Sequence, residues 1–224
     1  MAFSGEEGKM ALHPTYPESG RNWPRRRGPM SEEEFHQLEN INPDRKYEYI
    51  DGVAYMMSGG TIEHDRIRRN IDSLLDRHLL SGPCTSYGVD VQVLLSSKKS
   101  GKKQYVYPDA TISCAPEDRR PGNILIQSPR VVIEVLSPST ERRDRGMKFR
   151  AYQQCPTVQE IVLVNQYSPH VEIWQRDGQH TETWHYRHYE PGEVVEFASV
   201  DIHFEIEELY RGLTFLDEED NEDE

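Results

Sequence analysis

Apolar residues recur along this chain with two different periods, and each period predicts one class of element. Over residues 62–80 they return every three or four positions, which predicts an amphipathic helix. Over residues 89–95 they alternate with mostly polar residues, which predicts a strand. The runs 130–136 (RVVIEVL) and 159–165 (QEIVLVN) are almost wholly apolar, as in strands that are buried on both faces of a sheet.

Capping and turn residues indicate where the first elements begin and end. Ser31 and Glu34 have the spacing of a capping box, which predicts a short helix over residues 31–39. The dipeptide Asp51-Gly52 separates the β-prone runs KYEYI and VAYMM. Asp-Gly between two such runs is typical of a tight β-hairpin, so we expect the two runs to pair.

The remaining pattern completes the fold class. Residues 105–114 (YVYPDATISC) predict a strand that is bulged or at a sheet edge near Pro108, because proline cannot donate to a β-ladder. Thr140 is expected to cap a helix over residues 141–154. Residues 171–198 have the pattern of antiparallel strands. This order of elements predicts an α/β fold with a central mixed β-sheet flanked by helices.

Charge separates the two ends of the chain from its body. The formal net charge is -13, and seven acids lie in the last eight residues, 217–224. That acidic tail and a Gly- and Pro-rich leader, residues 1–29, are predicted to be disordered, which leaves one folded domain over residues 30–216. A body this acidic excludes proteins that wrap nucleic acid with a generally basic surface.

Cysteine usage and hydropathy bear on the compartment. The chain has three cysteines and no C-x-x-C pair, which excludes zinc ribbons and thioredoxin-type redox sites. Cys114 and Cys155 adjoin predicted elements and are expected to be small core residues in a reducing cytoplasm. No apolar run reaches membrane-spanning length and no basic-apolar leader opens the sequence, so we expect a cytoplasmic protein without a membrane partner.

Two carboxylates interrupt otherwise apolar strands. Glu134 lies inside RVVIEVL, where an unpaired charge costs several kcal/mol unless a metal or another group compensates it. Asp109 follows Pro108, where a bulge can direct a side chain toward a site. The alternatives are an ion pair with arginine for Glu134 and a turn or bulge acid for Asp109. Together, two carboxylates on neighbouring strands suit a hard divalent cation such as Mg²⁺.

The helix that follows supplies a candidate cation. Asp144, Lys148 and Tyr152 are four residues apart and therefore share one helix face. Lys148 could reach back over the end of the strand that carries Glu134. The alternative is a surface pair between Asp144 and Lys148, which would contribute only about 0.3–0.5 kcal/mol.

These motifs together resemble a known family. Tyr-Pro-Asp ending at Asp109, the run Ile-Glu-Val-Leu-Ser-Pro-Ser-Thr containing Glu134, and the spacing of Asp144, Lys148 and Tyr152 are similar to the Uma-two restriction endonuclease family of the PD-(D/E)XK nuclease superfamily. The resemblance extends over roughly residues 30–215. It implies a restriction-endonuclease-like fold and a metal-dependent site that cleaves DNA.

The resemblance also implies roles for individual residues. Asp109 and Glu134 match the motif carboxylates and would hold Mg²⁺ or Mn²⁺. The general superfamily pattern has a lysine two residues after the glutamate, where this chain has Leu136. Lys148 matches the place to which the family transfers that catalytic lysine. Glu48, in KYEYIDG, resembles the family's N-terminal catalytic acid, with a solvent-facing strand acid as its alternative.

The function therefore has two readings at this point. The first is a metal-dependent endonuclease that hydrolyses DNA phosphodiester bonds, with a homodimer as one way to cut both strands. The second is a catalytically degenerate nuclease fold that serves as a nucleic-acid-binding or interaction module. The acidic body and the displaced lysine keep the second reading open.

Overall fold

The computed structural model of the protein describes residues 26–57 and 59–215. The helices are α1 (Glu32–Ile41), α2 (Ile62–Leu79), α3 (Glu141–Arg143) and α4 (Phe149–Gln154), and a π-helical turn, Asp144–Lys148, joins α3 to α4. Short 3-10 helices occupy Pro116–Arg119, Ala198–Val200 and Ile206–Glu208. The strands are β1 (Arg26–Arg27), β2 (Tyr47–Ile50), β3 (Val53–Met56), β4 (Thr85–Gly88), β5 (Gln92–Ser96), β6 (Lys103–Val106), β7 (Ala110–Ser113), β8 (Leu125–Ile126), β9 (Pro129–Leu136), β10 (Glu160–Asn165), β11 (Val171–Arg176), β12 (Trp184–Tyr189), β13 (Val194–Phe197) and β14 (Ile202–Glu205).

The described strands form two six-stranded sheets and one hairpin. The first sheet has the order β12-β11-β10-β9-β7-β4, and its one parallel pair is β9 with β10. The second sheet has the order β1-β3-β2-β6-β5-β8. The hairpin pairs β13 with β14. The expected mixed sheet is therefore present, and the second sheet packs beside it.

Strand β9 divides the interior into two cores. Its odd-numbered side chains from 131 to 135 pack with α2 and with the β13-β14 hairpin. Val132 and Leu136 pack with α4 and with strands of the second sheet. Because successive strand residues point to opposite faces, Glu134 enters the second core, between the two sheets.

Local sequence signals correctly predicted the first helix, the first hairpin and helix α2. Ser31 and Glu34 make both hydrogen bonds of the capping box at the start of α1. Asp51 and Gly52 form the hairpin turn between β2 and β3 with φ of 50° and 79°. Helix α2 covers almost the whole predicted range, and its buried side chains are those that recur at helical spacing.

Two strand predictions differ from the structure. The strand predicted over residues 105–114 is divided into β6 and β7 by Tyr107-Pro108-Asp109, because Pro108 has no N–H to donate. The strand predicted over residues 89–95 begins only at Gln92, since the Val91 N–H donates to Gly88 O in a turn. Strand β4, before that turn, was not predicted.

Part of the leader predicted to be disordered is an edge strand. Arg26 pairs with Tyr55, and Arg27 pairs with Ala54. The backbone of β3 would otherwise lack a partner on that side, and unpaired strand edges favour such additions. Residues 1–25 and the acidic tail 217–224 lie outside the described residues.

The cysteines divide differently from the prediction. Cys84 and Cys114 form a disulfide, one step beyond the paired residues Thr85 and Ser113 of β4 and β7. The interpretation of Cys114 as a reduced core residue is therefore wrong, because antiparallel pairing brings it opposite a second cysteine that lies far away in sequence. Cys155 is buried and unbridged, as expected. In the described ranges, no helix combines the length and apolarity required to cross a membrane.

Glu160, the first residue of β10, is a buried acid away from the candidate site. Its Oε2 accepts hydrogen bonds from the Ser199 hydroxyl (2.7 Å) and backbone N–H (3.2 Å). Its Oε1 is buried and has no hydrogen-bond partner among the described residues. Burial raises the pKa of Glu160 above its ordinary value.

A pH-dependent stability gain is expected when Glu160 is made neutral. A carboxyl group whose pKa is raised by folding destabilises the folded state once pH exceeds that pKa, and has no such effect below its unfolded pKa. Glu160→Gln should therefore raise Tm by about 2–4 °C at pH 7.5, the scale of about 1 kcal/mol in a chain of this size. The gain should disappear near pH 4. Thermal melts measure this, and the control is Glu205→Gln, which changes an exposed acid on β14. Equal changes in Tm for the two variants would contradict the prediction.

Candidate active site

The β7-β9 ladder brings two predicted metal ligands to the same point. Ala110 pairs with Ile133, so Asp109 comes opposite Glu134 one step further along the ladder. The Val135 N–H donates to Asp109 Oδ2 at 2.8 Å. Asp109 and Glu134 are 7% and 3% exposed. The break at Pro108 thus turns Asp109 toward the end of β9 instead of leaving it in the ladder.

The second sheet contributes Glu48 from β2. This side chain is fully buried, so its alternative as a solvent-facing strand acid is wrong. Its Oε1 accepts a hydrogen bond from the Tyr107 N–H at 3.1 Å. Its Oε2 lies 3.3 Å from Arg143 Nε. Glu48 therefore faces Asp109 and Glu134 from the opposite sheet.

The helical segment after β9 contributes Lys148 and Asp144, each 3% exposed. Lys148 Nζ lies 2.6 Å from Glu134 Oε1, 2.8 Å from Glu48 Oε1 and 3.6 Å from Asp144 Oδ1. The alternative of a surface Asp144–Lys148 pair is therefore wrong. So is an arginine partner for Glu134, because its cation is this lysine.

The backbone of that segment is not a regular helix. Residues 144–148 form a π-helical turn, and such turns occur frequently at functional sites. Thr140 makes no side-chain cap, contrary to expectation. Its hydroxyl instead lies 2.9 Å from the Ser137 hydroxyl. The Thr140 carbonyl accepts the Asp144 N–H, so Thr140 contributes to this segment through its backbone rather than as a side-chain cap.

Burial sets the protonation of this cluster. Desolvation raises the pKa of Glu134 well above its ordinary value, although Lys148 opposes the shift. The Tyr152 hydroxyl donates to Glu134 Oε1, and burial raises the pKa of that phenol. Desolvation alone would lower the pKa of Lys148, but Glu134 and Glu48 outweigh it and raise the pKa instead. The neighbouring carboxylates thus favour the charged form of Lys148, whereas burial favours the neutral form of Glu134.

Two further contacts were not assigned to the site from the sequence. His64, in the first turn of α2, places Nε2 3.3 Å from Asp109 Oδ2. Burial opposes its protonation, but the contact with Asp109 outweighs burial and raises the pKa of His64. Arg143 reaches Glu48 as described above. The cap at Thr61, which fixes the start of α2 through the His64 N–H, was the available sequence signal for the first contact.

All of these groups line one cavity of about 500 Å³. Its whole lining has six carboxylates and five Arg or Lys side chains, which leaves a formal charge of -1 when His64 is neutral. Four of these carboxylates and two of these cations form the candidate site. The carboxylates belong to Glu48, Asp109, Glu134 and Asp144, and the cations to Arg143 and Lys148.

The residues fit a hard divalent cation held by few protein ligands. Among residues 26–57 and 59–215, no three His, Cys, Asp or Glu side chains are arranged as a closed metal cage, so a structural zinc site does not fit. Mg²⁺ requires only one or two carboxylates together with water and substrate phosphate. Asp109 Oδ1 and Glu134 Oε2 make no hydrogen bonds within the described chain, so both oxygens are available to a cation.

Removal of the buried ammonium should be strongly destabilising. Lys148→Met leaves the carboxylates around Lys148 uncompensated, which typically costs about 3–5 kcal/mol in a buried pair. Adding Glu134→Gln should restore part of the free energy of unfolding, because one of those charges is then gone. Urea unfolding of the single and double variants measures both effects.

The matched control is Lys102→Met. Lys102 is 62% exposed and lies 3.4 Å from Asp51, so its loss should change stability by less than about 0.5 kcal/mol. Equal effects of Lys102→Met and Lys148→Met would contradict the central position of Lys148.

Comparisons with known proteins show which family the chain belongs to and which fold it shares. The chain matches the model of the Uma2 family, described as "Putative restriction endonuclease", over residues 32–206. Uncharacterized protein slr1290 of Synechocystis sp. is 34% identical over 188 residues, which are 83% of this chain and 94% of that protein. Uncharacterized protein sll1609 of the same organism is 28% identical over 134 residues, or 59% and 73% of the two chains.

A solved structure shares the architecture. The crystal structure of a putative nuclease belonging to DUF820 from Anabaena variabilis superposes with a TM-score of 0.64 at 16% identity. The superposition covers 81% of this chain and 98% of that one. At an identity this low, the superposition establishes the common fold alone, which is restriction-endonuclease-like. Together with the family match over most of its length, this shows that the chain belongs to the Uma2 family of putative restriction endonucleases.

Proposed function

We propose that this protein is a metal-dependent endonuclease that hydrolyses phosphodiester bonds in DNA. The observation that carries the proposal is the meeting of Asp109, Glu134 and the buried Lys148 in one cavity. Two carboxylates beside a fixed ammonium are the groups that a phosphodiester hydrolase needs for metal binding and for stabilisation of charge. Family membership supports the same reaction class.

Each residue has a distinct role in this proposal. Asp109 and Glu134 would hold Mg²⁺ or Mn²⁺, which supplies Lewis-acid stabilisation of phosphate charge when bound. Lys148 orients the attacking water or stabilises the negative charge that develops on the phosphate oxygens. Glu48 holds Lys148 in place through the 2.8 Å contact. Tyr152 fixes the rotamer of Glu134 by donating to its Oε1.

One observation favours a second candidate function. Lys148 Nζ lies 2.6–3.6 Å from three carboxylates, so this buried cluster of acids already has a cation without a metal. A protein whose buried carboxylates are compensated by Lys148 instead of by a metal could bind nucleic acid without cleaving it. Metal titration distinguishes the candidates, because the endonuclease requires Mn²⁺ binding at Asp109 and Glu134.

The setting of this activity is part of the proposal. DNA is the expected substrate, and a homodimer would supply two sites for cleavage of both strands. The cytoplasmic location stays a prediction from the sequence.

Neutralising the two ligand carboxylates should abolish cleavage. We expect wild-type protein with Mg²⁺ or Mn²⁺ to nick supercoiled plasmid, and Asp109→Asn and Glu134→Gln each to lose that activity while circular dichroism shows an intact fold. Calorimetry should show weakened Mn²⁺ binding in both variants. Glu190→Gln, at an exposed acid outside the cavity, is the control. Undiminished Mn²⁺ affinity in both site variants would rule out the proposed ligands, whereas DNA binding without nicking by wild type would favour the second candidate.

The transferred lysine can be tested by moving it. Lys148→Ala should lower turnover roughly 100-fold or more, the scale of losing one charge-stabilising group, while Mn²⁺ binding survives. Leu136 follows Glu134 by two residues and points to the same core, so Leu136→Lys combined with Lys148→Ala should restore part of the activity. Assays are run below the melting temperature of each variant. Wild-type turnover in folded Lys148→Ala would refute a catalytic role for Lys148.

A further inference from the structure

A second cavity lies on the opposite flank of α4 from the candidate active site. Its volume is about 550 Å³. Arg150 and Gln153 of α4 line it. They follow Lys148 by two and five residues, which places them on the other side of the helical segment from Lys148, a residue that lines the first cavity. Lys98 and Lys99, in the loop after β5, form another part of its wall.

Arg176 places a buried positive charge in this cavity. Its side chain is 9% exposed, and its guanidinium donates to the backbone carbonyls of Val158, Thr181, Gln153 and Cys155 at 2.6–3.0 Å. These bonds use four of its five N–H donors, so one Nη1 hydrogen remains available. No carboxylate within the described chain lies in ion-pair distance of Arg176, and burial lowers its pKa.

The rest of the lining adds to this charge. Lys98 and Arg150 are exposed and make no ion pair in the described ranges, while Lys99 pairs with Glu182. Glu182 is the single acid among the described lining residues, against four cations, so the cavity has a formal charge of +3. The whole chain, in contrast, carries -13.

Basic residues elsewhere near the candidate active site are mostly neutralised. Arg143 faces Glu48, and Arg145 pairs with Glu141 and Glu172. The lysines at the far end of the loop after β5 are also paired, Lys102 with Asp51 and Lys103 with Glu32. The second cavity is therefore one place where cations without an ion pair in the described chain lie together, with Lys98, Arg150 and Arg176 in its lining.

We infer that the second cavity binds phosphate groups of a nucleic-acid strand, at a site separate from the candidate active site. This inference rests on the proposed function and names a place where the substrate strand continues. A helix with its side chains is about 10 Å wide, which corresponds to roughly three nucleotides of a strand at 3.4 Å each. Exposed Lys98 and Arg150 meet the strand at the surface, and Arg176 offers its remaining N–H at the base of the cavity.

The test measures binding rather than cleavage. Fluorescence anisotropy with a labelled 20-nucleotide DNA strand is recorded in EDTA at about 50 mM salt. Lys98→Gln combined with Arg150→Gln should weaken binding by about tenfold or more and reduce the slope of log affinity against log salt by about 1.4, since two phosphate contacts are lost. Lys102→Gln combined with Lys103→Gln, with the same change in charge, should have less than a twofold effect. Arg176 is left intact because its backbone bonds support the fold.

A small substrate separates this inference from the proposed function. Bis(p-nitrophenyl) phosphate is too short to span both cavities, so its hydrolysis should be unchanged by Lys98→Gln with Arg150→Gln. Failure of wild type to hydrolyse any phosphodiester would refute the proposed function, and the anisotropy result would still decide the second site. Wild-type DNA affinity in that double variant, or an equal loss in the control, would overturn the inference. So would quenching of Trp184 fluorescence by inorganic phosphate without any binding of DNA, because the site would then serve a free anion.

Discussion

The ammonium of Lys148 is the group on which the candidate site depends. It lies among Glu134 of the first sheet, Glu48 of the second sheet and Asp144 of the π-helical turn. A buried cation lowers the cost of burying acids close together, and here those acids come from three separate elements. Without it, like charges would oppose the packing of the two sheets at this point. The same contact therefore contributes both to the tertiary structure and to the electrostatics of the cavity.

The position of Asp109 depends on a backbone defect. Pro108 interrupts the chain between β6 and β7, so these strands belong to different sheets. Asp109 lies at that crossing and accepts the Val135 N–H, which fixes one carboxylate oxygen and leaves the other for a ligand. An irregular residue held by the end of a regular strand is a common way to build a rigid site.

Charge is distributed between two cavities with opposite signs. The first has a formal charge of -1 and two carboxylates that suit a divalent cation, while the second has +3 and suits phosphate. They lie on opposite sides of the helical segment that runs from the π-helical turn into α4: Lys148 lines the first, and Arg150, two residues later, lines the second. An acidic protein can in this way approach an acidic polymer, because local fields and a bound cation outweigh net charge at short range.

The sequence by itself determined much of this protein. Local signals are strong where one residue type has one physical use, as in the Ser31–Glu34 capping box, the Asp51-Gly52 turn and the apolar strand around Glu134. Glu134 and Asp109 could be named because each is a carboxylate that interrupts a predicted strand. Lys148 and Glu48 could be named because they match positions of the family motif. Contacts between distant parts of the chain could not be predicted. Lys148 meets Glu48 in this way, and Arg176 donates to the carbonyls of Gln153, Cys155 and Val158.

Only the tertiary structure decided those contacts, and the physical reason is that they depend on how elements are placed rather than on local propensity. The pairing of Cys84 with Cys114 follows from the register of β4 and β7, which no spacing along the chain reveals. Thr140 has the residue type of a helix cap, but its hydroxyl lies against the Ser137 hydroxyl and makes no cap. Burial likewise decides whether Asp144 and Lys148 form a weak surface pair or a strong buried one, and burial is a property of the packed sheets.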